Sequence, residues 1–499
     1  MSRELCTLPR PNAHPPNSTF VPFILFCYNL DIFKCSPTTQ IVEVTVDREA
    51  TLVKVLSGDL DFHNRDSSYL SHNFHSFPAK FPPQLPLSFI KALTRPGDTV
   101  LDPMLGSGTT VLEAYLSDRL ALGFDIDPLA LMISRVKTTP IDTLAAAQIA
   151  RRILSRARTA VAEDPAGLSA ALQQRWDAKT REFVDYWFAP QTQLELQALA
   201  QEIGSLYDPA IQDFFWTAFS STIITKSGGV SLAMDLGHTR PHLAKLVTTK
   251  SGKLIVGADL DPVEKASKRT RTLSKILRSA LDDFDKRVNQ NLAGAPKGED
   301  HRVSPLIQFG NSQHLPLDGS SIDLLVTSPP YASNAIDYMR AHKFSLVWMG
   351  HSIEDLGQKR SKYIGGESTV GFDFEQLPDR TAQIVSIVAE LDPKKGNVLH
   401  RYYSEMTRTL REAFRVLKPG KAAIFVVGSS VMRGIDTQTD TCLAEIGQTI
   451  GFRVPTIGVR NLDRNRRMMP AGNHVNQDSQ IQQRMHQEFV IGFHKPEAS

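Results

Sequence analysis

The sequence predicts an α/β fold: a sheet with helices on both faces, interrupted by a mainly helical insertion. Three features predict it. Short apolar runs that open 99–114 and lie within 121–128, 306–311, 322–326 and 422–427 have the length and the bounding turn residues of buried strands. Stretches of helical apolar spacing follow several of them, as in the strand, glycine turn and helix of 99–114. From 138 to 300 the strand pattern gives way to long helical stretches, among them 145–161 and 191–206.

With 499 residues and a net charge of +3, the chain has room for a large core without disulfides or metals, and its overall charge names no partner. Cys6, Cys27, Cys35 and Cys442 are scattered without CxxC spacing, which predicts free thiols in a reducing, cytoplasmic setting and no zinc cluster. The histidines and acids show no other metal-ligand spacing, so no metal is expected. An apolar run at 20–28 contains Pro22 and is far too short to span a bilayer, so no membrane association is expected. Two basic stretches, 264–278 and 460–467, have the local charge to lie along phosphates.

Residues 1–70 show strand-like alternation at 41–46 but no chemistry, and read as an N-terminal extension. Residues 72–83 mix aromatics, His72, His75 and Lys80 among prolines and read as an ordered loop; a helix burying Leu87, Ile90 and Leu93 follows. Residues 99–114 then read strand, glycine turn, helix. Gly106 and Gly108 let backbone pass close to a ligand, and the helix after them presents unpaired N–H groups. The next strand ends in Asp125 and Asp127, about twenty residues on, where an acid takes ribose hydroxyls in dinucleotide-type folds. That order predicts a nucleoside-bearing ligand. No GxxxxGK[ST] is present, and Val111 stands where dinucleotide binders place a third glycine, so the ligand needs neither a triphosphate nor a pyrophosphate. Within the insertion, the aromatic residues of 214–219 and Arg240 read as core and surface, and Gly257 as an ordinary strand end. The short strand of 306–311 has polar Asn311 and Ser312 at its end, and the strand at 322–326 runs into Thr-Ser-Pro-Pro-Tyr. Two prolines stop that ladder, leaving a stiff turn expected to face Ser328, the proline carbonyls and the Tyr331 ring outward. Strand ends of this kind are where open α/β sheets bind ligands. Residues 403–416 read as an amphipathic helix, and 453–459 with 488–494 as a closing antiparallel hairpin.

On these residues the chain resembles the S-adenosylmethionine-dependent DNA amino-methyltransferases. Asp102-Pro-Met-Leu-Gly-Ser-Gly-Thr-Thr110 is similar to their cofactor loop, and Thr327-Ser-Pro-Pro-Tyr331 to their catalytic signature. His75-Ser-Phe-Pro-Ala-Lys-Phe81 looks like the segment that closes over the methionine part of the cofactor. The resemblance implies a Rossmann-like methyltransferase sheet formed by residues 71–137, the cofactor half, and 301–499, the catalytic half. The insertion, 138–300, becomes the candidate target-recognition region, with 351–400 as second choice. S-adenosyl-L-methionine is the implied cofactor, held by Lys80, Phe81, Asp102, Pro103, Gly106, Gly108 and Thr109. Asp125 is implied on its ribose, with Asp127 as competitor, and Asn311 on its adenine. Ser328, Pro329, Pro330 and Tyr331 are the implied catalytic residues.

The chemistry suits these residues. An exocyclic amine on cytosine or adenine is a poor nucleophile, because its lone pair is delocalised into the ring. A hydroxyl at Ser328 and the carbonyl of Pro329, accepting its N–H groups, tilt the nitrogen toward tetrahedral geometry, so positioning carries the catalysis. Tyr331 is expected to stack on the target base, which must leave the duplex to reach the pocket. Ring-carbon methylation needs a nucleophilic cysteine, typically after proline, a context none of the cysteines has. Serine before Pro-Pro-Tyr goes with cytosine in the family. The expected reaction is therefore N4 methylation of cytosine in a short sequence of double-stranded DNA, as part of restriction-modification with a cognate restriction endonuclease as partner. Adenine N6 is the alternative, and an RNA amino-methyltransferase a more distant one.

Overall fold

In chain order the strands are β1 (Thr99–Asp102), β2 (Leu120–Asp125), β3 (Lys245–Thr248), β4 (Leu254–Gly257), β5 (Ser274–Ile276), β6 (Leu306–Phe309), β7 (Ile322–Thr327), β8 (Leu417–Gly428), β9 (Val431–Met432), β10 (Ile435–Asp436), β11 (Ile457–Asn461) and β12 (Gln487–His494). They belong to a computed structural model that describes residues 47–78, 80–225, 228–233, 245–248, 254–257, 274–297, 302–332, 338–428, 430–462 and 487–497. The runs at 20–28 and 41–46, Cys6, Cys27, Cys35, Arg240 and most of both basic stretches lie outside the described residues. Seven strands form one sheet in the order β11-β12-β8-β7-β1-β2-β6. Its β6, β2, β1, β7 and β8 run parallel, and the expected hairpin of β11 and β12 closes it antiparallel. Strand order reverses between β1 and β7.

The two faces follow from the period of the strands. Val100, Leu324, Val326, Ile424 and Val426 pack with α1 (Arg48–Leu56), α2 (Gln84–Leu93) and α3 (Thr109–Leu116). Residues 47–60, expected before the sheet domain, are part of it: Leu52, Leu56 and Leu60 enter this core. They fit because β12 carries Gly492, where a Cβ would lie 2.5 Å from Leu56 Cδ1. In α2 the buried stripe is Leu85, Phe89, Ile90 and Leu93, with Leu87 half-buried, a small rotation from the expected face.

Beyond α4 (Pro128–Thr138), the insertion folds into α5 (Thr143–Glu163), α6 (Pro165–Arg175), α7 (Ala178–Trp187), α8 (Pro190–Gly204), α9 (Pro209–Ile223) and α10 (Ala280–Ala293). It is not wholly helical, since β3, β4 and β5 form a small antiparallel sheet. Phe214, Phe215 and Phe219 are core, as expected. That core is shared rather than separate, for it includes Phe74 and Phe77 of the loop before α2, Ile133 of α4, and residues of α11 (Tyr338–Leu346) and α12 (Ile353–Ser361).

The opposite face of the sheet, with Leu101, Leu325, Ala423, Phe425 and Val427, packs against α13 (Asp379–Leu391), α14 (Pro393–Val416) and α15 (Thr439–Ile450). Helix α14 starts ten residues earlier than expected. Asp392 caps it by accepting the Lys395 N–H at 3.1 Å and Pro393 sits in its first turn, a start signature hidden by the loop-like Lys-Lys-Gly that follows.

Candidate active site

A cleft opens at the carboxyl ends of β1, β2, β6 and β7, over the reversal of strand order. Of the expected site residues, Lys80, Phe81, Asp102, Pro103, Gly106, Thr109, Asp125, Asn311, Ser328 and Pro330 line it. Gly108, Pro329 and Tyr331 do not.

At the end of β1, the Asp102 carboxylate accepts the Thr327 hydroxyl at 2.7 Å and the Met104 N–H at 3.2 Å. The first of these contacts ties the glycine loop to the Ser-Pro-Pro-Tyr strand, and the Thr110 hydroxyl, donating to the Val326 carbonyl at 3.2 Å, repeats the tie. Burial pushes the Asp102 carboxyl up to about 6. Gly106, at φ +49°, donates its N–H to Asp125 at 2.9 Å. Gly108, at φ +71°, is closed off: a Cβ there would lie 2.5 Å from Ser134 Oγ of α4. It serves the close approach of α3 to α4, which corrects the expectation that it faces the cofactor. Gly108→Ala is expected to cost about 1–3 kcal/mol in backbone strain alone, seen as a lower urea midpoint at unchanged slope. A parental midpoint would show that alanine fits. Beneath the loop, fully buried Lys137 donates to the Ser107 carbonyl at 2.6 Å, and burial drives its ammonium well below the usual lysine range.

The two acids after β2 differ in what they hold. Asp127 caps α4 by accepting the Leu129 N–H at 2.8 Å, and also takes His342 Nδ1 at 2.5 Å and the Tyr363 hydroxyl at 2.8 Å. Burial opposes its charge, but His342 and these hydrogen bonds outweigh it and bring the pKa below the usual value. Asp125 is half-buried and, among the described residues, accepts backbone N–H groups from Gly106 and Asp127, each at 2.9 Å. Burial first, and then the neighbouring Asp127, push it up to about 7. Asn311 sits on the exposed rim, its side-chain oxygen accepting the Gln313 N–H at 3.0 Å.

After β7, Ser328 Oγ donates to the Val426 carbonyl at 3.0 Å. Tyr331, expected to face outward, is only 7% exposed, and its hydroxyl donates to Glu488 Oε1 at 2.9 Å. Glu488 is in turn paired with Arg460. Arg460, expected along phosphates, is 2% exposed. Both corrections have one cause. The β11–β12 hairpin sets Arg460 and Glu488 side by side and seats Glu488 next to Gly428 of β8, so that the ion pair holds the tyrosine in the interior. Burial first, then Glu488, raise the phenol pKa well above its usual value, so it stays protonated.

The histidines of the 72–83 loop are supports. His72 meets buried Glu113 at 2.7 Å, and His75 meets Ser220 of α9 at 2.9 Å. Lys80 is exposed along its length but turns its ammonium back onto the carbonyls of His72 and His75, at 3.0 and 3.3 Å. The cleft also takes Phe77, Tyr338, Lys362, Tyr363 and Ile364, none of them foreseen. Phe77, whose ring stacks on Tyr338 at 5.5 Å, lies in the loop that the resemblance marks. Residues 362–364 carry no motif or period that could have found them.

The DNA methylase family model matches residues 32–135. The chain is 24% identical over 404 residues to the Type II methyltransferase M.MvaI of Kocuria varians, across 78% of this chain and 83% of that one. Against M.BsoBI of Geobacillus stearothermophilus it is 23% identical over 428 residues, 77% and 78% of the two chains. Against M.AvaI of Anabaena variabilis it is 30% identical over 171 residues, 30% and 35% of the two. The chain belongs to the N4/N6 DNA methyltransferase family. The cofactor of this methyltransferase is S-adenosylmethionine. The cleft fits such a group, combining apolar walls at Phe81, Ile126 and Ile364 with a side-chain-free approach at Gly106 and a carboxylate at Asp125 with acceptor capacity to spare. Among the described residues of the enzyme, no helix is long and apolar enough to cross a membrane, and no group of three or more His, Cys, Asp or Glu side chains is placed to hold a metal.

Proposed function

We propose that this enzyme methylates the exocyclic N4 amine of cytosine within a short sequence of double-stranded DNA. The observation that carries the reading is Ser328, at a cleft that also takes in the glycine loop, with its only proton committed to the Val426 carbonyl. A hydroxyl so engaged is left with acceptor capacity alone, which is what the N–H of an amine needs. The carbonyl of Pro329 is the second acceptor, and together they aim the nitrogen lone pair. Tyr331 holds the turn through Glu488 rather than presenting an open face to the base. S-adenosylmethionine, when bound, would supply a methyl group on a positively charged sulfur, and the amine that takes it would give up one proton to solvent. Asp125 receives the ribose hydroxyls, since Asp127 is filled by other donors; Gly106, Lys80 and Phe81 lie toward the methionine part, and Asn311 toward the adenine. The insertion reads the target sequence, and a cognate restriction endonuclease sharing the cytoplasm is the partner this implies.

Labelled methyl transfer to duplex DNA, followed by digestion to nucleosides, tests the reaction. N4-methylcytosine is the expected product, and N6-methyladenine alone would sink the cytosine assignment.

The acid makes a second prediction. A carboxyl near 7 is partly protonated at neutral pH, and only its charged form accepts two hydroxyls well. Cofactor affinity is therefore expected to rise as pH climbs through about 7 and to weaken below it, with a proton released on binding. Calorimetric titration on either side of that value, in buffers of different ionisation enthalpy, measures both. Affinity flat across the range would take Asp125 off the ribose.

A further inference from the structure

The geometry points to residues 361–368 as a strap that belongs to the cofactor site, with Tyr363 in contact with the nucleoside part of the cofactor; this rests on the methyltransferase reading above. No motif that carries the resemblance falls in this stretch, which lies within the catalytic half and within the second-choice region for target recognition. Yet Lys362, Tyr363 and Ile364 line the same cleft as Gly106 and Asp125. Tyr363 is also latched at the nucleoside end, its hydroxyl donating at 2.8 Å to Asp127, two residues beyond Asp125.

The strap is held from below by an ion pair of α14. Arg401 of α14, 7% exposed, donates to the carbonyl of Ser361 at 3.2 Å and to that of Ser368, so a single guanidinium grips both ends. Its Nε is fixed by Glu405 at 2.9 Å, and Glu405 accepts the Gly365 N–H at 2.7 Å in the middle of the strap. A Cβ on Gly366 would lie 2.9 Å from the guanidinium, which shows how flat the strap lies on it. Only a planar fork with several donors can make this set of contacts. Asp127 holds His342 of α11 as well, so the same carboxylate joins the strap to the helix that follows the catalytic turn.

The test uses the full-length protein, with S-adenosylhomocysteine binding and duplex DNA binding measured in parallel. Tyr363→Ala is expected to weaken S-adenosylhomocysteine binding about tenfold, the scale of one lost aromatic contact with a base. Tyr363→Phe is expected to recover part of that loss. Arg401→Lys, which cannot grip both carbonyls, is expected to raise KM for the cofactor with kcat and DNA affinity unchanged. Parental cofactor binding in both Tyr363 variants overturns the proposal. So does a loss confined to DNA binding, which would make the strap a reader of DNA. If the unsubstituted protein binds no S-adenosylhomocysteine, the methyltransferase reading itself fails and the strap assignment falls with it.

Discussion

Replacing Ser328 by alanine is expected to lower kcat by about 10²–10³-fold, the scale on which a single preorganised group at a reacting centre is felt, while cofactor affinity stays as it was. The effect is placed on kcat because Ser328 engages the amine only as its nitrogen changes geometry. Its proton is already given to Val426, so no reorganisation of the hydroxyl is needed when the amine arrives. Single-turnover methyl transfer separates this from slow product release. A parental rate in the alanine variant would leave the backbone carbonyls of the turn as the working acceptors and remove the side chain from the mechanism.

The largest effect on stability is expected at Arg460. In Arg460→Met, Glu488 loses its cation while remaining buried next to Tyr331, and breaking a buried pair from one side costs about 3–5 kcal/mol. Removing the charge from the other partner as well, in Arg460→Met with Glu488→Gln, is expected to return most of that stability. The amide keeps an acceptor for the Tyr331 hydroxyl, so methyl transfer is expected to return with it. Urea unfolding of the two single variants and the double gives the coupling directly. If the double variant is as unstable as Arg460→Met, the uncompensated charge is not the cause.

The parts of this molecule legible in the sequence are those set by local physics. Strand length, proline stops and a positive-φ glycine turn act over a few residues, so the order of β1, the glycine loop, α3 and β2 could be read directly, as could the pairing of an acid with the end of β2. The orientation of polar side chains could not, because it depends on partners far along the chain. Tyr331 turns inward for a carboxylate 157 residues away, and Tyr363 finds Asp127 across 236. Gly108 carries the same lesson: its pattern announces a ligand loop, while the neighbour that requires glycine is Ser134 on another helix. Arg460 belongs to a run whose charge suggests phosphate, and only the adjacent strand shows it to be internal.

The tie between Thr327 and Asp102 spans 225 residues, and with it comes a consequence for how the enzyme matures. Neither half of the cleft is complete until β7 has paired with β1, and the acceptor of the Ser328 proton arrives only with β8. Closing so long a loop costs little more in chain entropy than closing one half its length, about 0.6 kcal/mol per doubling, but contacts so distant in sequence form slowly. Helices of the insertion can therefore be in place well before the cleft exists. During synthesis the cleft cannot be assembled until β8 has been made, so the site forms only in molecules whose sheet has closed.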